Sequence, residues 1–296
     1  MEKVTLRVPA TSANLGPGFD SFGCALALYN TYTFEKMPDG VTEITGCPAK
    51  YRNARNLSVV AYRYALEAMG LPSEGLRLDI RAEIPVCRGL GSSSAMIIGG
   101  VMAANALHGS PLSREELLRL CTVVEGHPDN LAPALYGGMT ASLMRNGQPV
   151  TARFPLSEKL CFIALVPPFP LSTKKARAVL PKNVPFADAV FNVSHAALLL
   201  RALETADSEM IALALDDRLH QPYRKGLITG YEEARRTALD CGAIAFCISG
   251  AGSTCLCIAD SDEVGERLRE RLPSVCPNWQ VLPLPVDTQG AKILEE

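Results

Sequence analysis

The sequence predicts an α+β fold in two parts, residues 1–153 and residues 154–296. Three observations carry this expectation. Leu76, Leu78, Ile80, Ala82 and Ile84 alternate with Arg77, Asp79, Arg81 and Glu83, the pattern of a strand with one buried face. That strand ends at Pro85 in a glycine–serine loop, and from Ala95 to Leu107 the residues are almost wholly apolar or small, as in a helix buried all round. Beyond the Asn146-Gly147-Gln148-Pro149 turn the style changes. An apolar strand over 160–166 is followed by helical runs at 194–203, 209–215 and 227–239, strands at 243–249 and 254–259, a helix at 262–272 and a strand at 279–286. The order β–α–β–β–α–β, with extra helices in its first crossover, predicts a ferredoxin-like α/β sandwich packed on the first part.

Taken in chain order, Val4, Leu6 and Val8 alternate with Thr5 and Arg7 as an opening strand, which delivers a polar loop over Pro9–Asp20. Asn56 precedes a helix whose apolar face is Leu57, Val60, Ala61, Tyr64, Ala65 and Ala68, stopped by Gly70 and Pro72. Ser113 and Glu116 form a capping box for a helix burying Leu117, Leu118, Leu120, Cys121 and Val124 and ending at Glu125. There is no internal repeat and no low-complexity tract.

With 48% hydrophobic and 20% charged residues, the chain is globular. A net charge of -2, without a basic cluster or interleaved aromatic and basic residues, predicts no nucleic-acid partner and no membrane partner. A small molecule is the expected partner. The start of the sequence lacks a charged-then-apolar leader, and the apolar helix after Ala95 is short of a membrane span, so a cytoplasmic location is expected. The ten cysteines are scattered without a C-x-x-C pair and read as reduced core residues, Cys87 beside the glycine loop included. Four histidines without ligand spacing give no sign of structural zinc.

The segment Pro85-Val86-Cys87-Arg88-Gly89-Leu90-Gly91-Ser92-Ser93-Ser94-Ala95 is built to hold an anion. Gly89 and Gly91 allow close approach of backbone N–H groups, and the serines fall where a helix begins, at the positive end of its dipole. A phosphate fits that junction. Serines at a helix start also read simply as caps. Neither G-x-x-x-x-G-K-[ST] nor G-x-G-x-x-G occurs at this junction, so the phosphate would be held by backbone and hydroxyls rather than by a P-loop lysine.

Three further segments stand out: Asn14–Asp20, Glu125-Gly126-His127-Pro128-Asp129-Asn130, and Ser249-Gly250-Ala251-Gly252-Ser253-Thr254. With the P-x-x-x-G-L-G-S-S motif, they make the chain resemble the GHMP small-molecule kinases over nearly its whole length. P-A-T-S-A-N-L-G-P-G-F-D and E-G-H-P-D-N are similar, within that superfamily, to the homoserine kinase family. The resemblance implies the GHMP kinase fold, with an N-terminal ribosomal-protein-S5-domain-2-like ATP-binding domain and a C-terminal domain contributing to the substrate site. It also implies ATP and Mg²⁺ as cofactors and phosphorylation of the side-chain hydroxyl of L-homoserine, on the route to threonine.

The site residues follow from the matched motifs. Asn14, Asp20, His127, Asn130, Thr173, Arg177 and Arg224 are implied at the substrate, with Asn14, Asp20, Glu125 and Asn130 closest to the chemistry. A guanidinium fork suits the planar carboxylate of an amino acid, although by sequence alone Arg177 and Arg224 read equally as surface arginines. Asn56 is implied near adenine, with a helix N-cap as its other reading. Pro85, Arg88, Gly89, Leu90, Gly91, Ser92, Ser93, Ser94 and Ala95 are implied at the phosphates. Glu125 with Ser93 or Ser94 is implied at Mg²⁺, which needs few protein oxygens beside those of the phosphates.

Ser253 stands where the family has proline, which puts the rigidity of that loop in question. Transition-state stabilisation without an obligatory carboxylate base is expected, although Asp129 and Asn130 leave open which side chain faces the hydroxyl. A kinase for another small hydroxy amino acid or alcohol and a catalytically inactive ligand sensor are the competing readings. Family habit suggests a homodimer.

Overall fold

The structure, a computed structural model, describes residues 1–294. In chain order it contains β1 (Lys3–Ala13), β2 (Phe22–Met37), β3 (Thr42–Thr45), α1 (Leu57–Ala68), β4 (Gly75–Ala82), α2 (Ser92–Leu107), α3 (Arg114–Glu125), α4 (Leu131–Tyr136), β5 (Met139–Arg145) and β6 (Gln148–Phe154). There follow β7 (Cys161–Val166), α5 (Thr173–Ala178), α6 (Phe186–Thr205), α7 (Ser208–Ala214), α8 (Gln221–Arg224), α9 (Tyr231–Asp240), β8 (Ala245–Ile248), β9 (Cys255–Ala259), α10 (Glu263–Arg271), β10 (Gln280–Pro283) and β11 (Lys292–Leu294).

The first sheet runs β11-β1-β2-β4-β3, with the β5–β6 hairpin joined to the start of β2. The opening strand is longer than its alternation suggests. Instead of leaving the sheet at Pro9, β1 continues to Ala13 after a register shift between Pro9 and Ala10, the kind of irregularity that tolerates a proline in a strand. This extension carries Thr11 and Ser12 into the interior and delivers Asn14 to the site.

Helix α2 begins at Ser92 and is buried almost all round, as its composition requires. Helix α1 turns a different face inward from the one expected. Ser58, Val59, Ala61, Tyr62, Ala65 and Leu66 are buried, whereas Leu57 and Val60 are exposed. The Ser58 hydroxyl donates to the carbonyl of Met96, 2.9 Å away, so contact with α2 sets the rotation. The capping box of α3 is present as expected.

The second sheet is antiparallel in the order β10-β7-β9-β8, which places the first strand of this half beside the last, as in a ferredoxin-like sandwich. Both faces of β7 are covered. Phe162, Ala164 and Val166 join the core shared with the first sheet, while Ile163 and Leu165 join a second core with α9 and α10. Burial on both faces explains its unbroken apolar run. One strand crosses back: β11 pairs with β1 through Thr5 opposite Leu294 and Arg7 opposite Lys292.

Helix α6 starts eight residues earlier than the expected run, at Phe186 rather than Ser194, and by length and composition it is apolar enough to cross a membrane. It packs inward through Asn192, Leu199, Ala202 and Leu203, leaving Phe186, Val190, Val193 and Leu198 exposed. Cys87 is a further departure: it is exposed, not buried, because it occupies a left-handed turn with φ +56° outside both cores.

Candidate active site

A cavity of about 1030 Å³ lies between the two sheets' loops, walled by all four polar segments. At its centre is the strand-to-helix loop. Gly89 and Gly91 have φ of +77° and +69°, and a Cβ on either would fall 2.2 Å from the Ser249 carbonyl oxygen or 2.0 Å from Thr11 Oγ1. Only glycine fits at both positions. The loop is stitched on both sides, by Thr11 N–H to the Leu90 carbonyl at 3.2 Å, by Thr254 N–H to the Arg88 carbonyl at 3.0 Å, and by the Ser249 hydroxyl to the Gly89 carbonyl at 2.6 Å.

Gly91 is the N-cap residue of α2 and no side chain caps the helix, so the serines are not caps. Gly89, Gly91, Ser92, Ser93 and Ser94 face the cavity at the positive end of the helix. Leu90 and Ala95 belong to the hydrophobic core, and Pro85 lines a separate cleft. Those three are therefore not cavity walls. Arg88 borders the cavity, but Nε and Nη2 donate to the carbonyls of Pro167 and Pro168 at 3.0 and 2.7 Å, and Nη1 donates to Val86 at 2.9 Å. Its guanidinium thus joins the two halves.

One end of the cavity is lined by Pro48, Lys50, Tyr51, Asn56, Leu57, Ile80 and Ala82. Asn56 caps α1 by accepting from Ser58 N–H at 3.0 Å while its amide donates to the Tyr51 carbonyl at 3.0 Å. The helix-cap reading is met, by a residue that also lines the cavity. Across the loop, Ser93 donates to Glu125 Oε2 at 2.7 Å. Burial raises the carboxyl pKa of Glu125, and the Ser93 hydroxyl, His127 and Ser94 oppose that rise. This pair of hard oxygen donors suits a small divalent cation. Among the described residues no group of three or more His, Cys, Asp or Glu could hold a metal alone, so other ligand oxygens would have to complete its shell.

The opposite end is charged. Arg177 grips Asp20 with both nitrogens, at 3.1 and 2.8 Å. Arg224, 2% exposed, donates from Nε to the Ala176 carbonyl at 3.2 Å and from Nη1 to Gly250 at 3.1 Å. Neither arginine is a free surface residue, and burial with the neighbouring Arg177 lowers the pKa of Arg224 to about 10. Asn14 holds the walls together: its amide donates to the Gly250 carbonyl at 2.7 Å, and its Oδ1 accepts from Asp20 N–H at 3.0 Å. Thr173 opens α5 and lines the cavity with His127 and Asn130. Asn130 accepts from the Thr11 hydroxyl at 2.8 Å.

Two features at or beneath this end were not assigned from sequence. Asp129 is 6% exposed and lines the same end. Burial and the like charge of Asp20 push its carboxyl from an ordinary 3.8 up to about 7, against the opposing pull of Asn130 N–H and Arg177. Phe19 lies beneath both cations, 5.7 Å from Arg177 and 5.1 Å from Arg224. The Asp129 signal was visible in the H-P-D-N motif, whereas the role of Phe19 depends on segments distant in sequence.

A helix N-terminus ringed by glycines and serines, with an acid–hydroxyl pair on one side and a charged pocket on the other, is suited to phosphoryl transfer onto a small polar acceptor. The family models of the GHMP kinases N terminal domain and GHMP kinases C terminal match residues 56–138 and 196–278. The chain belongs to the GHMP kinases. Its relatives include the homoserine kinases of Clostridium botulinum (strain Okra / Type B1), 41% identical over 98% of both chains, and Clostridium beijerinckii, 41% identical over 99% of both. The crystal structure of homoserine kinase from Cytophaga hutchinsonii superposes with a TM-score of 0.89 at 26% identity, covering 99% of this chain and 98% of that one. Within the GHMP kinases, the chain's family is the homoserine kinases.

Proposed function

We propose that this chain catalyses ATP-dependent phosphorylation of L-homoserine to O-phospho-L-homoserine, in threonine biosynthesis. The observation that carries this reading is the shared cavity, in which the N-terminus of α2 faces a pocket with Asp20, Asp129, Arg177 and Arg224. The first part of the chain, residues 1–153, binds ATP, and residues 154–296 complete the substrate site. Adenine takes the end lined by Tyr51 and Asn56, and the phosphates lie at the amides of Gly89–Ser94. Arg224 and Arg177 hold the substrate carboxylate, and Asp20 takes the ammonium; Thr173, His127, Asn130 and Asn14 close the pocket around the hydroxyl.

Glu125 and the hydroxyl of Ser93 or Ser94 would hold Mg²⁺, which would supply charge neutralisation for the phosphates. The homoserine hydroxyl oxygen forms a bond to the γ-phosphorus as the bond from that phosphorus to the β–γ bridging oxygen breaks, giving ADP, and the hydroxyl proton passes to water. The amides at the start of α2 stabilise the growing charge and the pocket aligns the acceptor. No carboxylate base is obligatory in this scheme. Asp20→Asn then weakens homoserine binding; a collapse of turnover at unchanged KM would point instead to a base.

A coupled ADP-release assay with L-homoserine, with and without Mg²⁺, tests the activity. Higher kcat/KM with threonine or mevalonate would overturn the substrate. A cytoplasmic homodimer completes the proposal, supported by the exposed apolar side chains of α6. Sedimentation equilibrium checks it, and a monomer at micromolar concentration would remove it.

A further inference from the structure

Beneath the charged end of the cavity lies a polar cluster that does not line it. His220 is 0% exposed, and Asp217 and Asn192 are each 3% exposed. Buried polar groups of this kind are costly unless paired, and here every one is paired. Asp217 Oδ2 accepts from the N–H groups of His220 and Gln221 at 2.9 and 2.7 Å. Its Oδ1 accepts from Leu219 N–H at 2.9 Å and from the Asn192 amide at 2.7 Å. The same amide of Asn192 donates to the Pro17 carbonyl at 3.1 Å, so the cluster reaches the loop that ends in Asp20.

His220 makes the second connection to that loop. Its Nε2 lies 2.9 Å from the Gly16 carbonyl oxygen, an acceptor only, so the ring proton is on Nε2. Nδ1 is then the acceptor, and Arg224 Nη1 faces it at 3.5 Å. The ring also stacks on Phe19, with centroids 5.2 Å apart and planes inclined by 26°. Gly16 fits because it has no side chain: a Cβ there would lie 2.2 Å from the Leu215 carbonyl oxygen. One imidazole thus offers a donor to the loop, an acceptor to the arginine and a flat face to Phe19. A second proton would point an N–H at the guanidinium, and burial, the largest influence, lowers the pKa of His220 and favours the neutral ring.

We infer that His220 is a positioning residue that locks the Gly16–Asp20 loop to Arg224, and so sets the distance between the groups that grip the two ends of the amino-acid substrate. The inference rests on the homoserine reading above. It concerns a residue that touches no substrate, so its effect must show in affinity for the amino acid and not in affinity for ATP.

The test compares His220→Phe, which keeps the ring stack but loses both polar edges, with His220→Gln, which keeps a donor and an acceptor. His220→Phe is expected to raise KM for homoserine roughly tenfold, the loss of one hydrogen bond linked to a charged group, with KM for ATP within about twofold and kcat within about threefold. His220→Gln recovers part of the loss. An unchanged homoserine KM in folded His220→Phe overturns the inference, as does a parallel rise in both KM values. Should His220→Phe not fold, His220→Asn, whose shorter side chain does not reach the Gly16 carbonyl, must show the same split, and its absence overturns the inference. Wild-type enzyme without homoserine turnover would refute the underlying function, whereas normal wild-type turnover with unmoved variants refutes only the positioning role.

Discussion

Ser253 stands where the superfamily motif that its segment resembles usually carries proline, and its hydroxyl donates to the Phe169 carbonyl at 2.7 Å. A side-chain bond thus restrains the third glycine segment where a ring would otherwise do so. Ser253→Ala is expected to lower stability by about 1 kcal/mol and to raise KM for homoserine, because Gly250 in that segment holds Asn14 and Arg224. Thermal melts and initial rates measure both. Asp129 supplies a pH signature. Its folded pKa of about 7 lies above the ordinary 3.8, so the folded protein binds this proton more tightly than the unfolded chain. The resulting stabilisation is complete below the ordinary value and is lost as pH rises through about 7. Asp129→Asn should flatten that part of the stability–pH curve, and an unchanged slope would assign the pH dependence to other groups.

Among the elements, α2 bears most on the chemistry, since its first turn meets the cavity while its remaining turns are enclosed by α1, α3 and the sheet. Gly91→Ala combines a positive φ with a Cβ clash at Thr11. It is expected to cost about 1–3 kcal/mol and to raise KM for ATP more than KM for homoserine, as steady-state kinetics with each substrate varied can show. The start of α2 and the capping box of α3 were legible because their signals are local: Gly91-Ser92-Ser93-Ser94 and Ser113 with Glu116. Strand β2 was not, because its first five residues are all buried and show no alternation. The face of α1 was misjudged for a different reason. Leu57 and Val60 are apolar yet exposed, while the polar Ser58 points inward to α2. In the site, motifs located Asp20 and Glu125, but the burial of Arg224 depends on Ala176 and Gly250, far away in the chain.

At the scale of the molecule, the cavity lies where the loops of the two sheets meet, and Arg88 is one of the ties across that seam. Arg88→Ala removes two bonds to the Pro167 and Pro168 carbonyls. It should lower the melting temperature by several degrees, on the order of 2–4 °C per kcal/mol for a chain of this size, and raise both KM values together because both subsites border the seam. A rise confined to ATP would place the guanidinium on the phosphates instead. The return of β11 to β1 has a consequence for biosynthesis. A ribosome releases β1 long before β11, so the strand that leads into Asn14 keeps one bare edge until β11 emerges. Residues 249–254 also emerge late, leaving Asn14 without its Gly250 partner until then. The nascent chain can therefore build helices around α2 early, but the cavity lacks one of its walls until residues 249–254 have emerged.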